Sequence, residues 1–205
     1  MIPTPAPSRR ALLLAPLLLG ACSLLPDRPN VPVRRYGLTP RRPATAAAPS
    51  RAPVLLLRRV RAVPGLQDVG LRRQRADGAY EFLPYEEWIA PPADLADAGL
   101  LAWLQASGLF AAVVQTGTRA DAALLLELQL TVLETVPASG EARAALGGVL
   151  LREDRLTSRV VTTFSVGGTA PLPANATAPQ MAQAMEAALG AAFAQVEGAL
   201  APHAR

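Results

Sequence analysis

The sequence predicts a mixed α/β fold in which helices pack on one largely antiparallel sheet. Three observations predict it. Apolar and polar residues alternate across residues 122–136, as in a half-buried strand. Residues 142–151 and 156–166 are two further strand-like segments around a charged turn. The last 30 residues place apolar side chains three or four positions apart, which is the spacing of a helix packed on a sheet.

The first 21 residues have the parts of a secretory signal peptide. Arg9 and Arg10 form a positive n-region, and residues 11–19 form an apolar run interrupted by Pro16. This run is about half the length of roughly 20 residues that a membrane-spanning helix needs. The paired arginines also partly resemble a twin-arginine export signal, so the sequence leaves the export route open.

The lipid attachment site is predicted at Cys22. Leu19, Gly20 and Ala21 precede it, and the four residues resemble the lipobox of bacterial lipoproteins. Cys22 is the only cysteine, so the chain can form no intramolecular disulfide, and acylation would protect a thiol that is exported to an oxidising compartment. The alternative is a cytosolic protein with an apolar N-terminal strand and a buried free cysteine.

The position after the cysteine bears on localisation. Ser23 follows Cys22, and in lipoproteins of this kind Asp at that position retains the protein at the inner membrane. We therefore expect a lipid-anchored protein of the cell envelope, at the periplasmic face of the outer membrane rather than at the inner membrane. Two or more acyl chains are needed for stable anchoring.

All basic residues other than His203 are arginines, and many lie between residues 28 and 75. Loss of the signal peptide removes two arginines and no acid, which lowers the formal net charge from +4 to +2 and gives little reason to expect nucleic-acid binding. Two interpretations of the cluster stay open: contact with an anionic surface, or solvated and edge-strand arginines that discourage aggregation. The candidates for anionic contact are Arg34, Arg35, Arg58 and Arg59.

Residues 22–52 are predicted to be a lipidated Pro- and Arg-rich tether, and residues 53–205 a single α/β domain. One island interrupts the tether, Arg35-Tyr36-Gly37-Leu38, which could pair as a short strand with the domain that follows. Within the domain we expect a strand at 54–57, a hairpin across Asp77-Gly78, a helix from Pro92 to Gly108, a strand at 109–114, the three strands above, and a final helix capped by Thr177.

The sequence gives little sign of catalytic chemistry. His203, the only histidine, lies next to the C-terminal residues, and one cysteine is too few for a Cys-rich metal site. The sequence contains neither of the phosphate-binding glycine motifs GxxxxGK(S/T) and GxGxxG. The pairs Gly147-Gly148 and Gly167-Gly168 are predicted to be strand ends or bulges. We expect no enzyme activity, no metal and no cofactor.

An ordered set of motifs resembles the ABC-type transport auxiliary lipoproteins. The lipobox is followed by Tyr36-Gly37-Leu38, similar to the Tyr-x-Leu start of that family. Trp88 then lies in a segment similar to the family's tryptophan segment. The helix exit at residues 104–110, the alternating strand and the Ala-rich last helix complete the order. The chain ends without the tryptophan that often closes the family's sequences.

The resemblance implies a fold somewhat like the N-terminal domain of TolB and a non-enzymatic role in intermembrane phospholipid transport of the mammalian-cell-entry or paraquat-inducible type. The implied partners are the membrane, a mammalian-cell-entry-domain substrate-binding protein and an ABC transporter; a homo-oligomer is left open. Tyr36, Leu38 and Trp88 become candidates for fixing the tether or facing a partner, or are ordinary core anchors. The alternatives are an envelope assembly or enzyme-activating scaffold, and direct lipid carriage.

Overall fold

A computed structural model describes residues 30–49, 51–154 and 157–204. The predicted signal peptide, the lipobox residues Leu19, Gly20 and Ala21, and Cys22 lie outside the described residues. Residues Val33–Arg205 form one compact unit.

In the described part of this unit, the core is built on a mixed sheet of nine strands. The strands are β1 Arg34–Tyr36, β2 Val54–Leu57, β3 Arg61–Ala62, β4 Gly70–Gln74, β5 Tyr80–Trp88, β6 Ala112–Gln115, β7 Leu124–Val136, β8 Glu141–Asp154 and β9 Thr157–Pro171. Strand β7 pairs on one side with β8, which in turn pairs with β9, and on the other side with the parallel strands β2, β3 and β4. The order β1-β5-β4-β7-β2-β6 makes β1 an edge strand.

The predicted fold class is confirmed, and parallel pairing is a larger part of the sheet than the sequence showed. The β4–β5 hairpin and the β7–β8–β9 meander are antiparallel, as expected. The pairs β1–β5, β2–β6 and β2–β7 are parallel. Short strands separated by loops carry no signal of their partner, because strand direction is set by the connections between them.

Two α-helices cover one face of the sheet. Helix α1, Pro92–Ala106, begins with a proline in its first turn, where no intrahelical amide bond is lost. Helix α2, Ala178–Leu200, begins at Thr177, whose backbone N–H donates to Gln180 Oε1 at 2.9 Å. The rings of Trp103 and Phe193 meet edge to face, with centroids 5.8 Å apart, and join the two helices.

The apolar stripe of α2 is buried as its spacing predicts. The stripe packs on strands β8 and β9, and its members are Met181, Met185, Leu189, Phe193, Val196 and Leu200. A stripe of this kind could also have been a groove for a partner, but here it belongs to the core. Leu124, Leu126 and Leu130 of β7 face the helices, while Glu127 and Gln129 point to the opposite face.

The glycine pairs lie inside strands, so their prediction as strand ends or bulges was wrong. Gly148 of β8 leaves room for the ring of Phe164, since a Cβ there would lie 2.3 Å from that ring. Gly168 of β9 lets α2 approach the sheet: a Cβ would lie 2.2 Å from the carbonyl oxygen of Ala188. These glycines are required by close packing between elements, which no local pattern reveals.

Candidate anchoring and docking surfaces

The candidate residues of the N-terminal segment meet strand β5. Arg34, Arg35 and Tyr36 form β1, which pairs in parallel with β5, so that Tyr36 lies opposite Trp88. Leu38 follows and is fully buried, and Trp88 is 2% exposed. The structure therefore brings Tyr36, Leu38 and Trp88 together at one end of the core.

A buried carboxylate joins the two strands. Glu86 accepts a hydrogen bond from the Tyr36 hydroxyl at 2.6 Å and one from Arg34 Nε at 2.9 Å. Burial acts to raise the pKa of Glu86, but these hydrogen bonds and the charge of Arg34 outweigh it, so the pKa lies below its ordinary value. Burial and the hydrogen bond to Glu86 raise the pKa of Tyr36. Glu86 is thus held ionised at neutral pH.

The segment after β1 continues across both helices, and we call residues 34–46 the N-terminal strap. The Thr39 N–H donates to Glu186 of α2 at 3.1 Å. Farther along, the Ala46 N–H donates to the carbonyl oxygen of Ala106 at the end of α1, 3.0 Å away. Residues 33–49 therefore belong to the compact unit, whereas the sequence analysis placed the start of the domain at residue 53.

The middle of the strap is fixed by an ion pair between Arg42 and Glu197 of α2. Arg42 donates through Nε and Nη2 to the two oxygens of Glu197, at 2.9 and 3.0 Å. Trp103 Nε1 donates to the same carboxylate at 2.8 Å. The hydrogen bond from Arg42, with that from Trp103, lowers the pKa of Glu197 despite its partial burial. This arrangement satisfies a carboxylate of α2 with one donor from α1 and two from the strap.

The four arginines that were candidates for anionic contact all have carboxylate partners within the chain. Arg34 pairs with Glu86 and Arg35 with Glu87, while Arg58 pairs with Glu127 and Arg59 with Asp94. The hydrogen bond to Asp94 raises the pKa of Arg59. All four guanidinium side chains remain largely exposed, so an external anion would have to compete with these carboxylates.

Sequence reasoning missed a buried ion pair on the face of the sheet away from the helices. Arg72 of β4 lies 3.3 Å from Glu134 of β7, and both side chains are nearly buried. Burial raises the pKa of Glu134, and the charges of Arg72 and Arg143 lower it only in part. Glu134 stood in an alternating strand without any mark of burial, so the sequence offered no signal for this pair.

Two of the solvent-open depressions in the described part of the chain lie beside residues already discussed. The first, about 390 Å³, lies over Gly147 and is flanked by Arg58, Arg59 and Arg61. The second, about 430 Å³, lies between the strap and α2 and includes Pro40, Trp103 and several alanines of α2.

Among residues 30–49, 51–154 and 157–204, no three His, Cys, Asp or Glu side chains form a group that could hold a metal ion. His203 lies in a short 3₁₀ turn after α2. Within the same ranges, no helix has the length and apolarity needed to cross a membrane.

Most of the strap, the buried Trp88 and nearly all of the two helices lie in a region that matches a known family model. The model describes an ABC-type transport auxiliary lipoprotein component and matches residues 36–197. The chain belongs to this family. The match begins at Tyr36 and includes Leu38, Trp88, Arg58 and Arg59, while Arg34 and Arg35 lie just before it. A search of curated proteins found no match.

Solved structures support the fold of this auxiliary lipoprotein. Protein XCC0632 from Xanthomonas campestris, described as a DUF330 family member, is 21% identical, with a TM-score of 0.68 over 82% of this chain and 95% of its own. A second structure, of an uncharacterised protein, is 16% identical, with a TM-score of 0.57 over 84% of this chain and 99% of its own. At these identities the likeness shows a common fold.

Proposed function

We propose that this protein is the membrane-anchored auxiliary lipoprotein of an ABC-type system that moves phospholipid between the membranes of the envelope. Acyl chains on Cys22 hold it at the periplasmic face of the outer membrane, and the folded domain docks a mammalian-cell-entry-domain conduit. The observation that carries the proposal is the family match, which covers residues 36–197 and therefore almost the whole compact unit.

Docking of the N-terminal strap leaves only a short segment between Cys22 and the folded domain. Because the compact unit begins at Val33, it starts 11 positions after Cys22, and an extended chain over that distance reaches at most about 40 Å. A tether that ran free to residue 53 would reach roughly 110 Å. With the strap docked, the domain works close to the membrane that holds Cys22.

The alternative is a scaffold lipoprotein that assembles or activates another envelope component. It would use the same anchor and fold, so the partner distinguishes the two functions. A third function, direct lipid carriage, requires an apolar cavity. The depression beside α2 has an apolar lining, but it is open to solvent and partly formed by Arg41 and Glu186, which makes it a poor acyl-chain site.

The test is capture of the partner from crosslinked membranes. We expect the wild-type chain to recover a mammalian-cell-entry-domain protein together with its ABC transporter. The matched control is Cys22→Ala, which keeps the folded domain and removes the anchor; we expect it to leave the membrane fraction and lose the partner. Recovery of a different envelope complex would favour the scaffold function. Co-purified phospholipid in the washed domain would favour direct carriage.

A further inference from the structure

Exposed apolar side chains of the described residues are concentrated at one end of the sheet. Seven large apolar or aromatic residues are exposed, and all but Val160 fall within residues 31–33 or 80–89. Ile89 is 58% exposed and Phe82 44% exposed. Scattered single apolar residues are ordinary on a protein surface, but a cluster of this kind marks a site of contact.

The strand register places these side chains on one face. Gly70 of β4 pairs with Glu87, and Arg72 pairs with Phe82. Gly70 and Arg72 are two residues apart in β4 and share a face, so their partners Glu87 and Phe82 share it too. Ile89 is two residues beyond Glu87, and its N–H continues the ladder by donating to the carbonyl oxygen of Tyr36 at 2.9 Å.

Two more members follow by the same alternation. Tyr80 is two residues from Phe82 in β5 and lies opposite Gln74. Val33 precedes Arg35, which pairs with Glu87. Because Trp88 and Leu71 point into the core beneath the helices, Val33, Tyr80, Phe82 and Ile89 lie on the opposite face of the sheet. We call these four residues the β1–β5 patch.

A bulge and a glycine shape the patch. Strand β5 has extra residues between Phe82 and Glu87, and Tyr85 among them has a φ of 60°, which is uncommon for a residue other than glycine. A Cβ on Gly70 would lie 2.9 Å from the Phe82 ring, so this glycine lets the ring lie flat against the strand. Tyr80 is covered on one side by the Arg72 guanidinium, 3.6 Å from its ring centre.

We infer that the β1–β5 patch lies against the phospholipid headgroup region of the membrane that holds Cys22; this inference rests on the proposed anchoring. The first reason is distance. Val33 is itself a member of the patch and is the first residue of the compact unit, 11 residues from Cys22. The lipid anchor therefore delivers this end of the sheet to within about 40 Å of the bilayer surface.

The second reason is chemistry. Tyrosine, phenylalanine and isoleucine on a mixed polar background suit the membrane interface, where an apolar ring and a polar tip are both satisfied. The charged neighbours are already matched, Arg35 by Glu87 and Arg72 by Glu134. The patch therefore offers apolar contact with little net charge, which fits the interfacial layer of a bilayer better than a strongly charged protein surface.

The experiment places a photoreactive benzophenone amino acid at position 82 or 89 of the full chain in cells. The matched control carries it at position 160, where Val160 is 56% exposed on β9. After irradiation, the membrane fraction is digested with a protease, and the mass of each modified peptide is measured by mass spectrometry. We expect phospholipid adducts at positions 82 and 89 and none at position 160. Position 89 tolerates the probe because Ile89 is mostly solvent-exposed.

Three outcomes would overturn the inference: protein adducts in place of lipid at positions 82 and 89, no adducts there, or equal lipid adducts at all three positions. In each of these the chain is still found in the membrane fraction, so the proposed anchoring stands. A chain missing from the membrane fraction would instead refute the anchoring and the inference with it.

Discussion

Leu38→Ala is the most direct perturbation of the N-terminal strap. The Leu38 side chain is fully buried in the same apolar core as Trp88, although the sequence places it in a Pro-rich segment. Truncation of a buried leucine costs about 3–5 kcal/mol, because apolar contact is lost and a cavity remains. The matched control is Val33→Ala, at a residue 38% exposed just before β1, which should cost less than about 1 kcal/mol.

The assay is cleavage by trypsin under native conditions at the Arg41–Arg42 bond within the strap, since Pro43 protects the bond after Arg42. A loss of 3 kcal/mol raises the detached population, and with it the cleavage rate, by roughly two orders of magnitude when opening is fast. Urea unfolding measures how much the substitution lowers the free energy of unfolding of the whole domain. If Leu38→Ala and Val33→Ala are cleaved at the same rate and unfold at the same urea concentration, the strap is not part of the folded domain.

Three further predictions follow from particular contacts. Gly168→Ala should destabilise the domain by more than about 2 kcal/mol in urea unfolding, because its Cβ would enter the backbone of α2, whereas in Gly167→Ala the nearest atom is 3.4 Å away and the change should be much smaller; equal losses would contradict this close approach. Glu86 has a lowered pKa, so its stabilising effect is present above the ordinary carboxyl pKa and is lost as pH falls through the folded value. Tyr36→Phe removes one hydrogen bond to Glu86 and should raise that pKa, shifting acid unfolding followed by circular dichroism to higher pH; an unchanged profile would refute the role of this bond. Ser23→Asp should move the protein from the outer to the inner membrane fraction, and an unchanged fractionation would refute the sorting argument.

Elements whose apolar spacing repeats over many residues could be predicted from the sequence. The meander β7–β9 and helix α2 repeat their apolar spacing over many residues, and the Thr177 cap and early prolines mark helix starts. The Tyr36 island paired with the sheet as expected. Local composition predicted irregular backbone after β1, and the segment does lack regular structure, but its attachment depends on distant partners.

The rest depends on contacts between residues far apart in the chain. Arg42 and Glu197 are 155 positions apart, and no spacing rule links them. The carboxylates that pair with Arg34, Arg35, Arg58 and Arg59 likewise come from other elements, so the sequence showed an arginine-rich segment without its partners. The close contact at Gly168 could be predicted only from the position where α2 crosses β9. A sequence pattern reports on neighbouring residues, whereas these contacts join residues that only the folded chain brings together.

We propose above that lipid on its only cysteine holds the chain at a membrane. Mass spectrometry of the mature N-terminus, extracted from membranes, tests it most directly. We expect a first peptide that begins at Cys22 and carries a diacylglycerol thioether. A chain that begins at Met1, or a peptide with a free thiol at Cys22, would contradict it.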